Sequence, residues 1–273
     1  MTAEEWRDIQ DKFQRKWNFP QCLGAMDGKH VRIKCPKQGG SSFFNYQHYH
    51  SLVLFAIVDA SYKFLYHEVG AEGSVGDATI WNASKFKTCM EKGLLNTPPP
   101  QLTPRTNKPI PSLIVADSAF ALSPQVMKPY PERDLTIPKR LFNYRLSRSR
   151  RVVENAFGIL ASRFGIYQST IVQEPQSAKK FVLASVALHN FLRDCNDQQY
   201  CGPGYADSEQ GLDHVRVIGQ WREDARANLD GLQSAVGGAH PQHASGAEVR
   251  NALTEYFMHE GAVPWQNARA FDF

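Results

Sequence analysis

The run "SLVLFAIVDAS" at residues 51–61 decides the fold class. Apolar residues follow one another over the length of one strand, which is typical of a strand covered on both faces. The segment "KFLYHEVG" at 63–70 follows after a short turn. Before it, "CLGAMDGKHVRIK" at 22–34 alternates Val31 and Ile33 with basic residues, as a half-buried strand does. Together the three segments predict an antiparallel meander.

Helices and one further strand are predicted around this meander. A second buried strand, "SLIVADSAF" at 112–120, ends at Asp117. Helical spacing of apolar residues predicts helices at 3–16, 77–95, 152–164 (beginning near Ser149), 177–194, 212–230 and 247–258. Irregular segments are expected at the proline-rich 96–111, at the basic 121–148 and at the linker 234–246. The element order β-β-β-α-β-α-α predicts a mixed α/β fold for residues 20–195.

Composition narrows the class of protein. Of the 273 residues, 42% are hydrophobic and 11% aromatic, enough for a packed core. The five cysteines are odd in number and never spaced C-x-x-C, so they predict neither a disulfide framework nor a zinc site. No run approaches the length of a membrane span and no signal peptide is visible, which favours a cytosolic or nuclear protein.

Three acids occupy positions where a metal ion could be held. Asp27 lies within the first strand among small residues, Asp117 ends a buried strand, and Glu154 stands beside the apolar stripe of "RRVVENAFGIL" (150–160). A carboxylate at the edge of a core is costly unless it is paired or binds a cation. Mg²⁺ or Mn²⁺ prefers such oxygen ligands and suits phosphodiester chemistry with two ions. The alternative is that the aspartates are turn residues and Glu154 a solvated helix residue.

The net charge of +4 is small but clustered. The basic residues that would contact DNA phosphates are Lys139, Arg140, Arg145, Arg148, Arg150 and Arg151. A solvated loop is the alternative for this stretch. By the same kind of reasoning, His48 and His50 are interpreted as surface or packing residues, Asp59 as a turn residue and Asp77 as a helix N-cap.

Four blocks of the sequence, "GAMDGKHVRIKCP", "EGSVGDATIWNASKF", "LIVADSAFALSPQVMKPYP" and "FNYRLSRSRRVVENAFGILASRFGIY", resemble the PIF/Harbinger transposases in order and style. Domesticated Harbinger-derived nucleases share these blocks, and both groups belong to the DDE superfamily. The resemblance implies an RNase H-like fold whose acidic triad binds divalent metal and cuts or joins DNA. By motif, Asp27, Asp117 and Glu154 match the triad, and Glu154 follows Asp117 by 37 residues. Asp77 matches a further acid and is a fourth candidate metal ligand.

The resemblance also implies a domain organisation and partners. We expect a short N-terminal helix at 1–19 that is a remnant of an upstream region, a nuclease domain at 20–195, and a helical C-terminal tail at 196–273. Relatives carry a helix-turn-helix-like segment before the first strand, where this sequence has about 20 residues. A separate Myb-like DNA-binding protein is therefore an expected partner besides DNA. Action on DNA implies a nuclear location.

Three functions remain open at this level. The first is a metal-dependent DNA endonuclease or strand transferase, supported by all three acids of the triad. The second is a domesticated or truncated protein that binds DNA or a Myb-like partner without cutting. The third is a metal-free hydrolase that uses a carboxylate pair, for instance on glycosides, which leaves the basic segment unexplained.

Overall fold

A computed structural model describes residues 1–37, 39–102, 108–133, 135–226, 232–234 and 244–271. The helices are α1 (Ala3–Trp17), α2 (Asp77–Ala83), α3 (Lys85–Glu91), α4 (Ile137–Arg163), α5 (Pro175–Asp194), α6 (Gln198–Cys201), α7 (Trp221–Arg226), α8 (Ala244–Met258), α9 (Gln266–Ala270) and a 3₁₀ turn at Gly165–Tyr167. The strands are β1 (Cys22–Arg32), β2 (Ser51–Val58), β3 (Phe64–Glu72), β4 (Gln101–Leu102), β5 (Pro109–Ile110), β6 (Leu113–Val115), β7 (Val126–Met127), β8 (Ser208–Gln210), β9 (Val215–Val217) and β10 (Leu232–Ser234).

The central sheet has the strand order β3-β2-β1-β6-β7, with β10 also paired to β1. The antiparallel pairing of β1 with β2 and of β2 with β3 confirms the predicted meander. Strand β6 runs parallel to β1, and β7 runs parallel to β6. Every residue of β2 is buried, which agrees with a strand covered on both faces. This mixed α/β arrangement is compatible with an RNase H-like fold.

Helices cover the two faces of the sheet. On one face, Phe55 packs against Trp81 of α2, and Tyr66 packs against Phe86 of α3. Helix α1 joins this layer because Trp6 contacts Phe86 edge to face. On the other face, α4 crosses β1 while α5 lies along β3. The sheet is therefore enclosed between helical layers, and the candidate site residues Asp27 and Glu154 belong to β1 and α4, which contact each other.

Helix α4 contradicts the prediction of irregular structure for residues 121–148. It begins at Ile137, with Thr136 as N-cap and a proline in its first turn, rather than near Ser149. Arg145 and Arg148 are buried in this first half. Because arginine appears polar in a periodicity analysis, these inward-facing positions hid the helix.

Two further predictions differ in detail. The helix predicted at 77–95 is divided at Ser84, whose extended backbone ends α2 and whose hydroxyl caps α3 by accepting the N–H of Lys87. The N-cap of α2 is Gly76, so Asp77 is the first helical residue instead of the predicted cap. Strands β4 and β5 pair within the expected loop at 96–111, of which residues 103–107 lie outside the described residues.

The C-terminal segments pack onto the rest of the fold. Residues 212–230 do not form one helix: β9 pairs with β8, and α7 follows. Helix α8 confirms the prediction at 247–258, and its Phe257 packs against Phe19 and Phe142 in the main core. The predicted linker at 234–246 lies mostly outside the described residues. Over the described ranges, no helix combines the length and apolar character needed to cross a bilayer.

Candidate active site

Asp27, within β1, and Asp117, just past the end of β6, lie at the same level of two neighbouring parallel strands. Ala25 of β1 is in register with Val115 of β6, and each aspartate lies two residues farther along its chain. Neighbouring strands are about 4.8 Å apart, so the two carboxylates project side by side. The Asp27 side chain is buried, and Lys29 Nζ contacts its Oδ2 at 3.1 Å. Asp117 is half-buried, and its Oδ1 accepts the N–H of Ala119 at 2.8 Å.

Charges around Asp117 act on its pKa in opposite directions. Burial raises the pKa, the Arg150 guanidinium lowers it, and the Asp27 carboxylate raises it again, with a net increase. Because Asp27 and Arg150 both act on Asp117, α4 lies over the same end of the sheet as the two aspartates. The structure therefore brings together Asp27 and Asp117, two of the three acids of the predicted triad.

Asp77 is the third acid at this position. It is 2% exposed, and in the described part of the chain neither carboxylate oxygen has a hydrogen-bond partner. Burial, then Asp27, then Asp117 raise the pKa of Asp77 to about 7. The Asp77 side chain can lie this close to β1 because residue 28 is a glycine: an added Cβ there would lie 2.0 Å from Asp77 Oδ1. The fold therefore places a buried carboxylate beside the two strand aspartates, and Lys29 and the Gly28 backbone offset only part of the cost of its charge.

Glu154 of α4 lies apart from the three aspartates in this conformation. Its side chain is 40% exposed, and Oε2 is 3.9 Å from Nη2 of Arg222. Arg150, one helical turn earlier, acts on Asp117, so Glu154 lies on the same flank of α4. Across the residues described here, no three His, Cys, Asp or Glu side chains are close enough to hold a metal ion together.

Arg222 belongs to a cluster built by the C-terminal segment. Its Nη2 lies 2.7 Å from Asp207 Oδ2, and Arg216 contacts the same oxygen at 2.6 Å. Burial raises the pKa of Asp207, but hydrogen bonds from Arg222, Arg216 and the Gly219 N–H lower it to about 2. The cluster keeps a cation beside Glu154. Sequence reasoning missed it, because nothing local links Asp207 to α4.

Trp221 fastens this segment to α4. Its indole N–H donates to Asn155 Oδ1 at 2.8 Å, next to Glu154 in sequence. Its ring lies on Gly158, where an added Cβ would be 2.2 Å from Trp221 Cε3. The small residue at 158 is therefore required by the C-terminal segment.

The basic stretch divides into two groups. Arg145, Arg148 and Arg151 are 1%, 2% and 7% exposed. Arg148 and Arg151 bind the largely buried carboxylate of Glu209, at 2.7 and 2.9 Å. Arg145 donates to the carbonyls of Gly261 and Asn18 and to Gln266 Oε1. Phosphate contact by these three arginines would require them to leave partners inside the fold.

The other three basic residues reach the surface. Arg140 is exposed, while Lys139 and Arg150 are partly exposed. Lys139 Nζ lies 5.5 Å from the ring centre of Tyr130. Phosphate contact by Lys139, Arg140 and Arg150 stays a prediction, with Arg150 the nearest of them to the aspartates.

Histidine 30, three residues after Asp27, was not singled out from the sequence. It is buried, its Nδ1 is 3.0 Å from Ser51 Oγ, and its Nε2 has no partner within the described ranges. Burial and then Lys29 lower the pKa of His30 to about 4, so the ring is neutral at physiological pH. The Asp-Gly-x-His spacing at residues 27–30 is the sequence signal that could have identified His30 as a site residue. His48 and His50 both pack against Phe44, as the packing interpretation expects.

Comparisons with known proteins identify the family of the chain. A DDE superfamily endonuclease family model matches residues 26–190. Protein ALP1-like of Arabidopsis thaliana is 29% identical over 195 residues, covering 70% of this chain and 48% of the relative. Antagonist of like heterochromatin protein 1 of Arabidopsis thaliana is 25% identical over 199 residues, covering 71% and 50%. The putative nuclease HARBI1 of Rattus norvegicus is 25% identical over 211 residues, covering 75% and 55%.

The chain spans about half the length of the curated relatives it matches. No solved structure matches it significantly. The family model covers more than half of the chain and includes Asp27, Asp77, Asp117 and Glu154. As the resemblance to Harbinger transposases implies, the chain belongs to the DDE superfamily endonuclease family.

Proposed function

We propose that this protein is a divalent-metal-dependent DNA endonuclease or strand transferase of the Harbinger type, built on an RNase H-like fold. The observation that carries the proposal is the pair Asp27 and Asp117 on neighbouring parallel strands, with the buried carboxylate of Asp77 beside them. Asp117 lies just past the carboxyl end of β6, where open α/β sheets place their ligands, and Asp27 lies beside it within β1.

The donor set suits Mg²⁺ or Mn²⁺. Carboxylate oxygens are the ligands these hard cations prefer, and Asp77 contributes two buried oxygens without hydrogen bonds among the described residues. Asp27 and Asp117 would hold the metal, Asp77 would add negative charge behind them, and Glu154 would reach in from α4. A bound metal would supply Lewis acidity at the phosphate and activate the attacking water or 3′-hydroxyl.

The protein's own groups would orient the DNA. Arg150 lies beside Asp117 and can hold the phosphate next to the scissile bond, while Lys139 and Arg140 extend the positive charge along the first half of α4. Lys29, 3.1 Å from Asp27, would orient that carboxylate. The half-exposed Glu154 side chain has room to turn from Arg222 toward the aspartates.

Nicking of supercoiled plasmid tests the proposal. We expect cutting in Mg²⁺ or Mn²⁺ but none in chelator, and loss of cutting in Asp117→Asn and Glu154→Gln. Asp59→Asn is the matched control, because Asp59 is also buried but its carboxylate accepts the N–H groups of Ser61 and Lys63 in a turn, as predicted. Nicking that persists in Asp117→Asn would contradict the assignment. Activity in chelator would instead support the metal-free carboxylate hydrolase.

A second function is favoured by one observation. Glu154 faces Arg222, and the described chain holds no ready group of three metal ligands. A family member that binds DNA or a protein partner without cutting would be compatible with this arrangement. A Myb-like DNA-binding protein is one such partner, and the name of the antagonist of like heterochromatin protein 1 connects that relative with a chromatin protein. A nuclear location follows from either function.

DNA binding separates the two proposals from a protein with no nucleic-acid role. We expect binding that weakens with salt, and a shallower salt dependence in Arg150→Ala. The matched control is Arg7→Ala, an exposed arginine on α1. Binding without nicking would favour the second function, and an unchanged salt slope in Arg150→Ala would remove this residue from the phosphate contacts.

A further inference from the structure

Helix α5 has two apolar faces, of which only one is covered by the described residues. Its inner face packs on the sheet and consists of Ala178, Val182, Ser185, Val186 and His189. Its outer face carries Phe181, Leu188 and Phe191, which are 43%, 51% and 61% exposed. Single exposed apolar residues are normal on a protein surface, but three large ones in a row on one helix mark an interaction site.

The spacing of this outer face matches a partner helix. Phe181, Ala184, Leu188 and Phe191 follow one another at intervals of three, four and three residues, and all four are exposed. That is the a and d pattern of a heptad, which places a continuous apolar stripe along one side of a helix. The partner that fits such a stripe is another helix with the same spacing.

Charges beside the stripe indicate which helix. Lys180 and Asp194 are both exposed. With Phe181 and Leu188 at the a positions of the heptad, Lys180 and Asp194 both occupy g positions. In an antiparallel pair the g positions of the two helices face each other. Lys180 of one copy therefore faces Asp194 of the other, twice by symmetry. Asp194 also pairs with Lys63 of its own chain at 2.5 Å, which leaves the carboxylate 61% exposed. A parallel pair would place Lys180 opposite the buried Ser185 side and make no such contact.

We propose that the outer face of α5 is a homodimer interface, in which two copies of α5 pack antiparallel about a two-fold axis beside Ala187. Phe181 then packs against Phe191 of the other copy at each end. At the centre, Leu188 fills the space above Ala184, so large and small residues alternate across the seam. Ala187, also small and exposed, lets the two helices approach closely at the axis.

The interface is small. Fourteen residues of helix extend over about 21 Å, and the side chains give a strip roughly 10 Å wide. This strip of about 210 Å² on each copy is well below the roughly 800 Å² per partner of a standard specific interface, so we expect a weak, reversible dimer. The inference is independent of the proposed nuclease function, since the interface shares no residue with the aspartate site.

Sedimentation equilibrium of the whole chain at about 1 to 100 µM tests the interface. We expect the mass to rise with concentration from 30.8 kDa toward twice that value. Leu188→Glu should abolish the rise while circular dichroism stays that of the folded protein, because the side chain is exposed. Leu94→Glu is the matched control, a leucine that is 63% exposed elsewhere on the surface.

Charge reversal identifies the antiparallel arrangement. Lys180→Glu or Asp194→Lys alone should weaken the dimer by about three- to tenfold, because each variant places like charges opposite each other. The double variant should recover the wild-type constant, and a mixture of the two single variants should form heterodimers. Rescue supports the proposal, since only this pairing brings residues 180 and 194 together. A protein that stays monomeric at about 100 µM, or single variants that the double variant does not rescue, would overturn it.

Discussion

The ionisation of Asp77 should make the free energy of unfolding depend on pH, and the substitution Asp77→Asn should remove that dependence. The pKa of this carboxyl is about 7 in the folded protein, against 3.8 for its ordinary value. The folded state therefore binds more protons than the unfolded state between these pH values, and the contribution of Asp77 to stability falls as pH rises through that window. A difference of about three pKa units corresponds to roughly 4 kcal/mol, reached above pH 7.

Asp77→Asn keeps the shape of the side chain and cannot ionise. In chelator, we expect its free energy of unfolding to exceed that of the wild type by little at low pH. The advantage should grow by about 2 to 3 kcal/mol between pH 5 and pH 8. Urea unfolding followed by tryptophan fluorescence at several pH values measures it. Asp59→Asn should show a smaller change in the same direction, because burial raises the pKa of Asp59 while the N–H groups of Lys63 and Ser61 lower it.

Addition of Mg²⁺ extends the same experiment. A cation bound by the aspartates stabilises the folded wild type, by about 2.7 kcal/mol at a hundredfold excess over the dissociation constant. Asp77→Asn should respond less, because one carboxylate charge is absent. The reasoning would be refuted if the difference between Asp77→Asn and the wild type were the same at pH 5 and pH 8.

Two further substitutions test how the C-terminal segment is attached. Gly158→Ala should destabilise the protein by about 1 to 3 kcal/mol in urea unfolding, because its Cβ would meet the Trp221 ring, whereas the Cβ of Gly165→Ala meets only Gln168 Oε1 at 4.0 Å and should change little. Equal effects of the two alanines would contradict that packing. Glu209→Gln should cost about 3 kcal/mol at pH 7 by leaving Arg148 buried without its counterion. This cost should shrink in acid, because the pKa of Glu209 is lowered in the fold and its stabilisation is lost as pH falls through that pKa.

Much of the fold was predictable because it depends on local patterns. The continuous apolar run of β2 specifies a strand independently of its tertiary contacts, and so does the alternation in β1. Both strands are present in the structure. The first half of α4 was not predicted, since its inward-facing positions include Arg145 and Arg148. Arginine can be buried when carboxylates or carbonyls from elsewhere satisfy it, and the sequence around it does not disclose those partners.

The residues of the candidate site also differ in whether their surroundings could be predicted from the sequence. Asp27 and Asp117 could be paired from sequence because each lies at a defined place on a predicted strand. The environment of Asp77 could not, because it depends on how closely α2 approaches Gly28. The present neighbour of Glu154, Arg222, lies 68 residues farther along the chain, in a segment for which the sequence predicted only a helix.

The sequence by itself determined the strand meander, the positions of the two strand aspartates and the family to which they belong, because periodicity and motif spacing are properties of neighbouring residues. Only the tertiary structure decided which charges are buried, which are paired and which remain available. It buried Asp77 with no side-chain hydrogen-bond partner among the described residues, enclosed Arg148 with Glu209, and held Arg222 beside Glu154. The physical reason is that ionisation and burial depend on whatever packs against a group. In this protein, remote segments supply those contacts.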